Sequence, residues 1–287
     1  MIKGCPNLKC IKIESNIQKD GNYFRKNDSR KVQRYRCRDC GKRFSKSTGE
    51  LEYRQKKRRV NFFLFKLLAL GMSMRRCALN LNIHQITVKR KLIYLAKKAR
   101  MHHDEYLKKI RGLNRIQFDD LITIEHTKLK PLTVSCAVDS NSRAILGAHV
   151  ASIPAFGHLA KISKKKYGRR ENNHKNALED LFNQIKASLD PQVEIRSDEH
   201  KLYPFFVNKH LPHAKHLRFK GGRSCVTGQG ELKRKRRDPL FSINHSYAML
   251  RANINRLFRR SWCTTKDPVM LKNHIDLFIH YHNTILI

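Results

Sequence analysis

Residues 115–128 read RIQFDDLITIEHTK, and their period decides the architecture. Upstream, the apolar residues recur at helical spacing. From Arg115 they fall into short Val- and Ile-rich runs with strand character. LTVSCAVD (132–139) and RAILGAHVASIP (143–154) continue the pattern, with SNS (140–142) as the turn between them. Three successive strands are therefore expected. A helix over residues 171–189 follows, with Ala177, Leu178, Leu181, Phe182 and Ile185 at core spacing. Next come a short strand, QVEIRS, that ends at Asp198, a helix reaching residue 209, a strand near AKHLRF, and a helix over 243–260.

Working outward, residues 60–99 carry the preceding helical pattern. Phe62, Phe65, Leu68 and Ala69 give a first helix, and Gly71 is positioned to end it. Ser73 is an N-cap for a second helix that turns Cys77, Ala78 and Leu81 inward. Asn82 and Ile83 make the turn into a third helix over 84–98, with Val88, Leu92 and Leu95 on one face. This is a helix-turn-helix pattern, spanning 54–100. In such units the exposed start of the last helix enters the major groove. That makes Gln85, Thr87, Lys89 and Arg90 the candidate DNA contacts; a three-helix bundle with a solvated basic face is the plainer reading.

Four of the eight cysteines are clustered. Cys5 and Cys10 form a C-x4-C pair, and Cys37 and Cys40 a C-x2-C pair followed by Gly41. Four thiolates on two tight turns suit tetrahedral, structural zinc. Residues 1–46 are read as a zinc ribbon, with a hairpin over 20–36 turning at KNDS and too little apolar surface to fold without metal. Cys77, Cys136, Cys225 and Cys263 are scattered, which fits isolated thiols in a reducing cytoplasm, taken as prokaryotic.

The chain has 287 residues, with 61 Lys+Arg against 23 Asp+Glu, a formal charge of +38. Such an excess repels itself unless a polyanion neutralises it, and nucleic acid does so with release of counterions. No apolar run approaches the roughly 18 residues of a membrane span, and the N-terminus lacks the apolar core of a signal peptide. No dinucleotide fingerprint or P-loop is present. Two basic runs, 161–170 (with Lys165 and Arg169) and 233–237 (with Lys235 and Arg236), bracket the acidic motifs as loops that clamp a phosphate backbone.

Three antiparallel strands, a helix, then further strands and helices match the ribonuclease-H-like order, placed over 112–287. In that fold an acid on the first strand approaches another just after the fourth. The whole chain resembles bacterial insertion-sequence transposases of the DDE superfamily, in the zinc-ribbon-bearing group whose third catalytic residue is Asn. The segments carrying the resemblance are YRCRDCGKRFS, FDDLITIEHTKLKPLTVSCAVD, IRSDEHKLYP, GQGELKRKRRDPLF and INHSYAMLRANINRLFRRSWCTTK. It implies Asp119 and Asp198 as the metal-holding acids, Asn244 as the third residue and Arg251 as the basic position seven residues on. It also implies Mg²⁺ (Mn²⁺ as substitute) as catalytic cofactor, the element ends and target duplex as partners, and a dimer or higher synaptic complex without membrane association.

Several alternatives stay open on the residues alone. Asp120 competes with Asp119, because adjacent strand residues face opposite ways. Asp198 also suits a helix cap. Glu231 or Asp238 is positioned to complete the site where Asn244 offers only a neutral oxygen. Glu125 and His126 are read as DNA or site contacts or as plain strand-end residues. Trp262 reads as a core residue or a base-stacking one. His274, His280 and His282 are expected at the surface or facing DNA. An inactive DNA-binding regulator and a simple metal nuclease are the rival functions.

Overall fold

Short polar turns between β-branched runs make two separate sheets. The computed structural model describes residues 4–10, 16–26, 29–53, 55–220, 238–258 and 263–287. It divides into two compact units, Met1–Leu64 and Phe65–Ile287.

In the first unit, β1 (Ile17–Arg25), β2 (Arg30–Cys37) and β3 (Arg43–Ser45) pair antiparallel in that order. The expected hairpin is present, and Ser29 at its turn takes a positive φ of 51°. Tyr35 and Phe44 pack across β2 and β3 with ring centroids 6.0 Å apart. Cys37, Phe44, Val60 and Leu64 are the buried apolar residues described here. That is a small core for a unit of this length, so a metal cross-link has much to contribute.

Helix α1 (Asn61–Ala69) carries the chain from the first unit into the second. It buries Leu64, Leu68 and Ala69, while Phe62 is 58% exposed. The expected face is thus corrected: at 100° per residue Phe62 lies about 160° around the helix from Leu64. Gly71, at φ +82°, ends α1, and Met72 N–H closes back on the Leu67 carbonyl at 3.0 Å. The Ser73 side chain caps α2 (Met74–Asn80), accepting from Arg76 N–H at 3.3 Å. Asn82 makes the turn at φ 47°. His84 then caps α3 (Gln85–Lys109) by accepting from Ile86 N–H at 3.2 Å.

Helix α3 runs 25 residues, well past the expected end at 98. Its buried face continues through Ala99, His103 and Leu107. The His103 imidazole bonds the Leu146 carbonyl at 2.9 Å, and the Leu107 carbonyl accepts from Ser188 Oγ at 2.8 Å. The helix-turn-helix pattern and the larger sheet therefore share the second compact unit.

That sheet holds five strands: β4 (Leu113–Glu125), β5 (Thr127–Asp139), β6 (Ile145–Ser152), β7 (Leu189–Asp198) and β8 (Lys215–Phe219). The order is β6-β5-β4-β7-β8, with β4, β5 and β6 antiparallel and β7 and β8 parallel to β4. This mixed α/β arrangement is consistent with a ribonuclease-H-like domain. Against the sheet pack α5 (His174–Ile185) and α6 (Tyr203–His210), whose Phe182 and Tyr203 rings close on Phe118 at 5.2 and 4.6 Å.

Three expected boundaries change. Residues 161–170 are not a loop: α4 (Leu159–Tyr167) holds most of the basic run, anchored by Ser163 Oγ donating to the Leu129 carbonyl at 2.7 Å. Helix α5 begins at His174 rather than 171. Helix α7 (Phe241–Asn253) stops short of 260 because Ile254 turns extended. The chain then forms α8 (Pro268–Tyr281), N-capped by Asp267. Helix α8 is buried almost all round, as a helix packed on several sides must be. Among the described residues no helix is long and apolar enough to cross a membrane.

Candidate active site

Strands β4 and β7 run parallel and side by side, and Gln117 pairs with Arg196. Two residues further along each strand lie Asp119 and Asp198, so the sheet register brings the two acids to neighbouring positions on the same face. Each carboxylate is held by one oxygen. Asp119 Oδ1 accepts from Asp120 N–H at 2.7 Å and from the Tyr203 hydroxyl at 3.3 Å. Asp198 Oδ1 accepts from His200 N–H at 2.9 Å. Among the described residues no group bonds Oδ2 of either.

Electrostatics distinguishes Asp119 from its neighbour. Burial, then the charges of Asp198 and Asp120, push the Asp119 carboxyl up to about 7. Asp120 is buried more deeply, which opposes its charge, yet its pKa lies below the usual carboxylate value. Its hydrogen bonds outweigh the burial. Oδ1 accepts from Thr133 Oγ1 at 3.0 Å and from Ser135 Oγ; Oδ2 meets His174 Nε2 at 2.6 Å and the Tyr203 hydroxyl at 2.7 Å. Both Asp120 oxygens are thus occupied, while Asp119 and Asp198 each present one. The His200 ring lies 5.2 Å from His174 and 4.9 Å from Tyr203, closing this cage beside the acids.

Helix α7 is pinned across β4 at the same place. Gln117 accepts from Ile243 N–H at 3.0 Å and donates to the Pro239 carbonyl at 3.2 Å. The Tyr247 hydroxyl donates to the Asp119 carbonyl. Asn244 and Arg251 sit three residues before and four after Tyr247, so all three share one helix face. Asn244 is exposed and donates to Asp238 Oδ2 at 2.8 Å. Asp238 thus stands beside Asn244, and its other oxygen caps Leu240 N–H at 2.9 Å. Glu231, Lys235, Arg236, Cys225 and Trp262 lie outside the described residues.

The other expected contacts are dispersed. Gln85, Lys89 and Arg90 are exposed on the first turns of α3, with Thr87 half-buried. Lys165 and Arg169 are exposed on and just after α4. Glu125 is held by Arg170 at 2.7 Å, and His126 forms the tip between β4 and β5 at φ 62°. Two of the three C-terminal histidines are buried rather than surface groups. His274 accepts from Arg256 Nε at 3.0 Å, and His282 bonds the Arg143 carbonyl at 3.1 Å. Burial next to Arg256 takes His274 down to about 3.

The residues that sequence reasoning passed over are His174, His200, Tyr203 and Tyr247. His200 and Tyr203 lie inside the quoted IRSDEHKLYP, two and five residues after Asp198, and that closeness is the signal that could have found them. Tyr247 lies inside the quoted INHSYAMLRANINRLFRRSWCTTK, three residues after Asn244, whereas His174 carries no local signal, since only the packing of α5 brings it to β4.

In the first unit the four cysteines converge. Their Sγ atoms all lie within 4.8 Å of one another, with Cys5–Cys40 at 3.5 Å and Cys10–Cys37 at 3.9 Å. A tetrahedron of thiolates around zinc has edges of about 3.8 Å, so the set fits that ion. Gly41, at φ +70°, turns the knuckle and donates to the Cys37 carbonyl at 2.9 Å. The carboxylate pair fits a different ion. Two free carboxylate oxygens, one on a group held near neutrality by burial and like charge, suit a hard divalent cation.

No family model matches the chain, and no curated protein matches it. Among solved structures it is similar to the crystal structure of the Mos1 strand transfer complex, at 12% identity over 76% of this chain and 74% of that one, with a TM-score of 0.23. A likeness that loose carries no argument about the site.

Proposed function

We propose that this chain is a DNA transposase of the DDE superfamily with Asn in the third position. In this reading it binds the inverted-repeat ends of a bacterial insertion sequence, hydrolyses a phosphodiester there, and joins the freed 3′-hydroxyl to target DNA. The observation that carries the reading is the paired Asp119 and Asp198, each held by one oxygen with the other free, on parallel neighbouring strands of a +38 chain.

Asp119 and Asp198 are the residues to hold the divalent cations. Bound magnesium, or manganese in its place, supplies Lewis-acid activation of the attacking and leaving oxygens. Asn244, on the helix pinned over Asp119, orients the scissile phosphate, and Arg251 on the same face steadies the DNA backbone. Lys165 and Arg169, with Lys235 and Arg236, clamp the flanking duplex through phosphate contacts. Gln85, Thr87, Lys89 and Arg90 meet the element ends from the start of α3. Cys5, Cys10, Cys37 and Cys40 hold structural zinc. Two ends must be held at once, which calls for a homodimer or higher synaptic complex.

The test is a Mg²⁺-dependent strand-transfer assay on DNA carrying the element ends. Joined products from the wild type, lost in Asp119→Ala and Asp198→Ala, support the reading, and Asn244→Ala reports on the third position. Cleavage without joining assigns a nuclease. End binding without cleavage in any metal assigns a regulator.

A further inference from the structure

The first unit contains a cavity that the cysteine cluster does not use. Its volume is about 350 Å³, and its walls include Tyr23 and Arg25 of β1 together with Tyr53, Gln55, Lys56 and Arg58. That falls within the roughly 300–1,000 Å³ of small-ligand sites. The tyrosines are 38% and 44% exposed, so each presents a partly open ring. Among the described residues that line it there is no carboxylate. Glu52 next to it is engaged by Arg58, whose Nη1 lies 3.6 Å from Glu52 Oε2 while Nη2 donates to the Glu52 carbonyl. Arg58 Nε is buried and has no acceptor among the described residues, so the guanidinium meets the cavity through its Nη groups.

We propose that this cavity takes one unpaired nucleotide of DNA, the base against Tyr23 and Tyr53 and the phosphate against the cations of Arg25, Lys56 and Arg58 that line it. Every base offers a π-face to a tyrosine, and single-strand sites combine such rings with cations in this way. A base within a duplex is closed to the cavity, because its neighbours stack on both faces. The cations complement phosphate, while the two tyrosine rings favour a base over an acidic peptide, which has a carboxylate for the cations but no nucleobase to stack. The inference rests on the DNA-binding part of the proposed function, and assigns Lys56 and Arg58, part of the basic stretch before α1, a binding role.

Binding of the full, zinc-loaded chain to oligothymidylate and to a hairpin duplex of equal charge tests it by fluorescence anisotropy. Tyr23→Ala and Tyr53→Ala are expected to weaken single-strand binding roughly tenfold and leave duplex binding within about twofold. Tyr→Phe at either position is expected to restore it, with zinc content unchanged in all variants. Alanine variants that bind oligothymidylate like the wild type overturn the inference, as do equal losses on both probes. Poly-glutamate binding that the alanine substitutions abolish, with oligothymidylate unaffected, assigns the cavity to an acidic peptide and also overturns it. Strand transfer measured on the same preparations separates the outcomes: joining that persists while the single-strand result fails removes this inference alone.

Discussion

Two aspartates adjacent in the chain have opposite environments, and one hydroxyl lies between them. Tyr203 donates toward Asp119 Oδ1 and Asp120 Oδ2, so it locks the first carboxylate against the second. Groups that orient a metal-holding carboxylate typically change metal affinity by about 10–100-fold. Tyr203→Phe is therefore expected to raise the Mn²⁺ dissociation constant about tenfold with the fold intact, read by metal titration of tryptophan and tyrosine fluorescence; an unchanged constant refutes the role. The Asp119 carboxyl, raised to about 7, favours the proton in the folded metal-free protein. Its contribution to stability is present below its unfolded pKa and lost as pH rises through 7. A divalent cation competes with that proton, so thermal stabilisation by Mg²⁺ is expected to be larger at pH 8 than at pH 6, and to vanish in Asp119→Ala. His274 has the opposite sense. Its folded pKa, about 3, is depressed by burial and then by the adjacent Arg256 charge, so its contribution is present above pH 6.5 and is lost as pH falls toward 3. At pH 5 the loss is about 2 kcal/mol. The melting temperature of the wild type is expected to fall between pH 7.5 and 5, and His274→Gln to show a shallower fall.

At the scale of elements, α3, α5 and α7 show where periodicity suffices. The first turns of α3 follow from its cap and from Val88, Leu92 and Leu95. Its last turns do not, because the buried face there is carried by Ala99, His103 and Leu107, and a histidine is no apolar marker until the Leu146 carbonyl is beside it. The basic run at 161–170 looks like a loop by charge alone; Ser163 and its bond to Leu129 hold it as a helix. Helix α5 lies on β6 so closely that a Cβ on Gly147 would stand 2.7 Å from Gln184 Oε1 and 2.9 Å from Leu181 Cδ1. Gln184 is itself held by His149 at 2.8 Å. Gly147→Val is therefore expected to cost about 1–3 kcal/mol by forcing helix and sheet apart. Urea denaturation measures it, and a midpoint equal to the wild type's would contradict this packing.

For the whole molecule, charge and metal decide what the core cannot. The first unit buries few apolar residues, while the second has a continuous core from Leu107 and Ile116 to Val207 and Leu211. Removal of zinc by a chelator is therefore expected to unfold residues 1–64 and leave the second unit folded. Limited proteolysis then yields a stable fragment beginning near residue 65, and equal resistance of both units with and without chelator would show that the cysteines do not hold zinc. If the chain binds DNA as proposed, the same charge is expected to make that affinity fall steeply with salt, since each neutralised phosphate releases counterions.

Local chemistry was enough for much of this protein. The cysteine spacings, the Gly71 and Ser73 boundaries, the change of period at Arg115 and the two aspartate motifs are each written within a few consecutive residues. Turns, caps and strand alternation depend on neighbours in the chain, so these features were legible. Which aspartate keeps an oxygen free was not. That choice depends on Ser135 on β5, His174 on α5 and Tyr203 on α6, groups up to 84 residues away in the chain. The burial of His274 and the length of α3 were likewise decided by partners from remote elements. Hydrogen-bond satisfaction in a buried site is a property of the packed molecule, and only the tertiary structure brings those partners within reach.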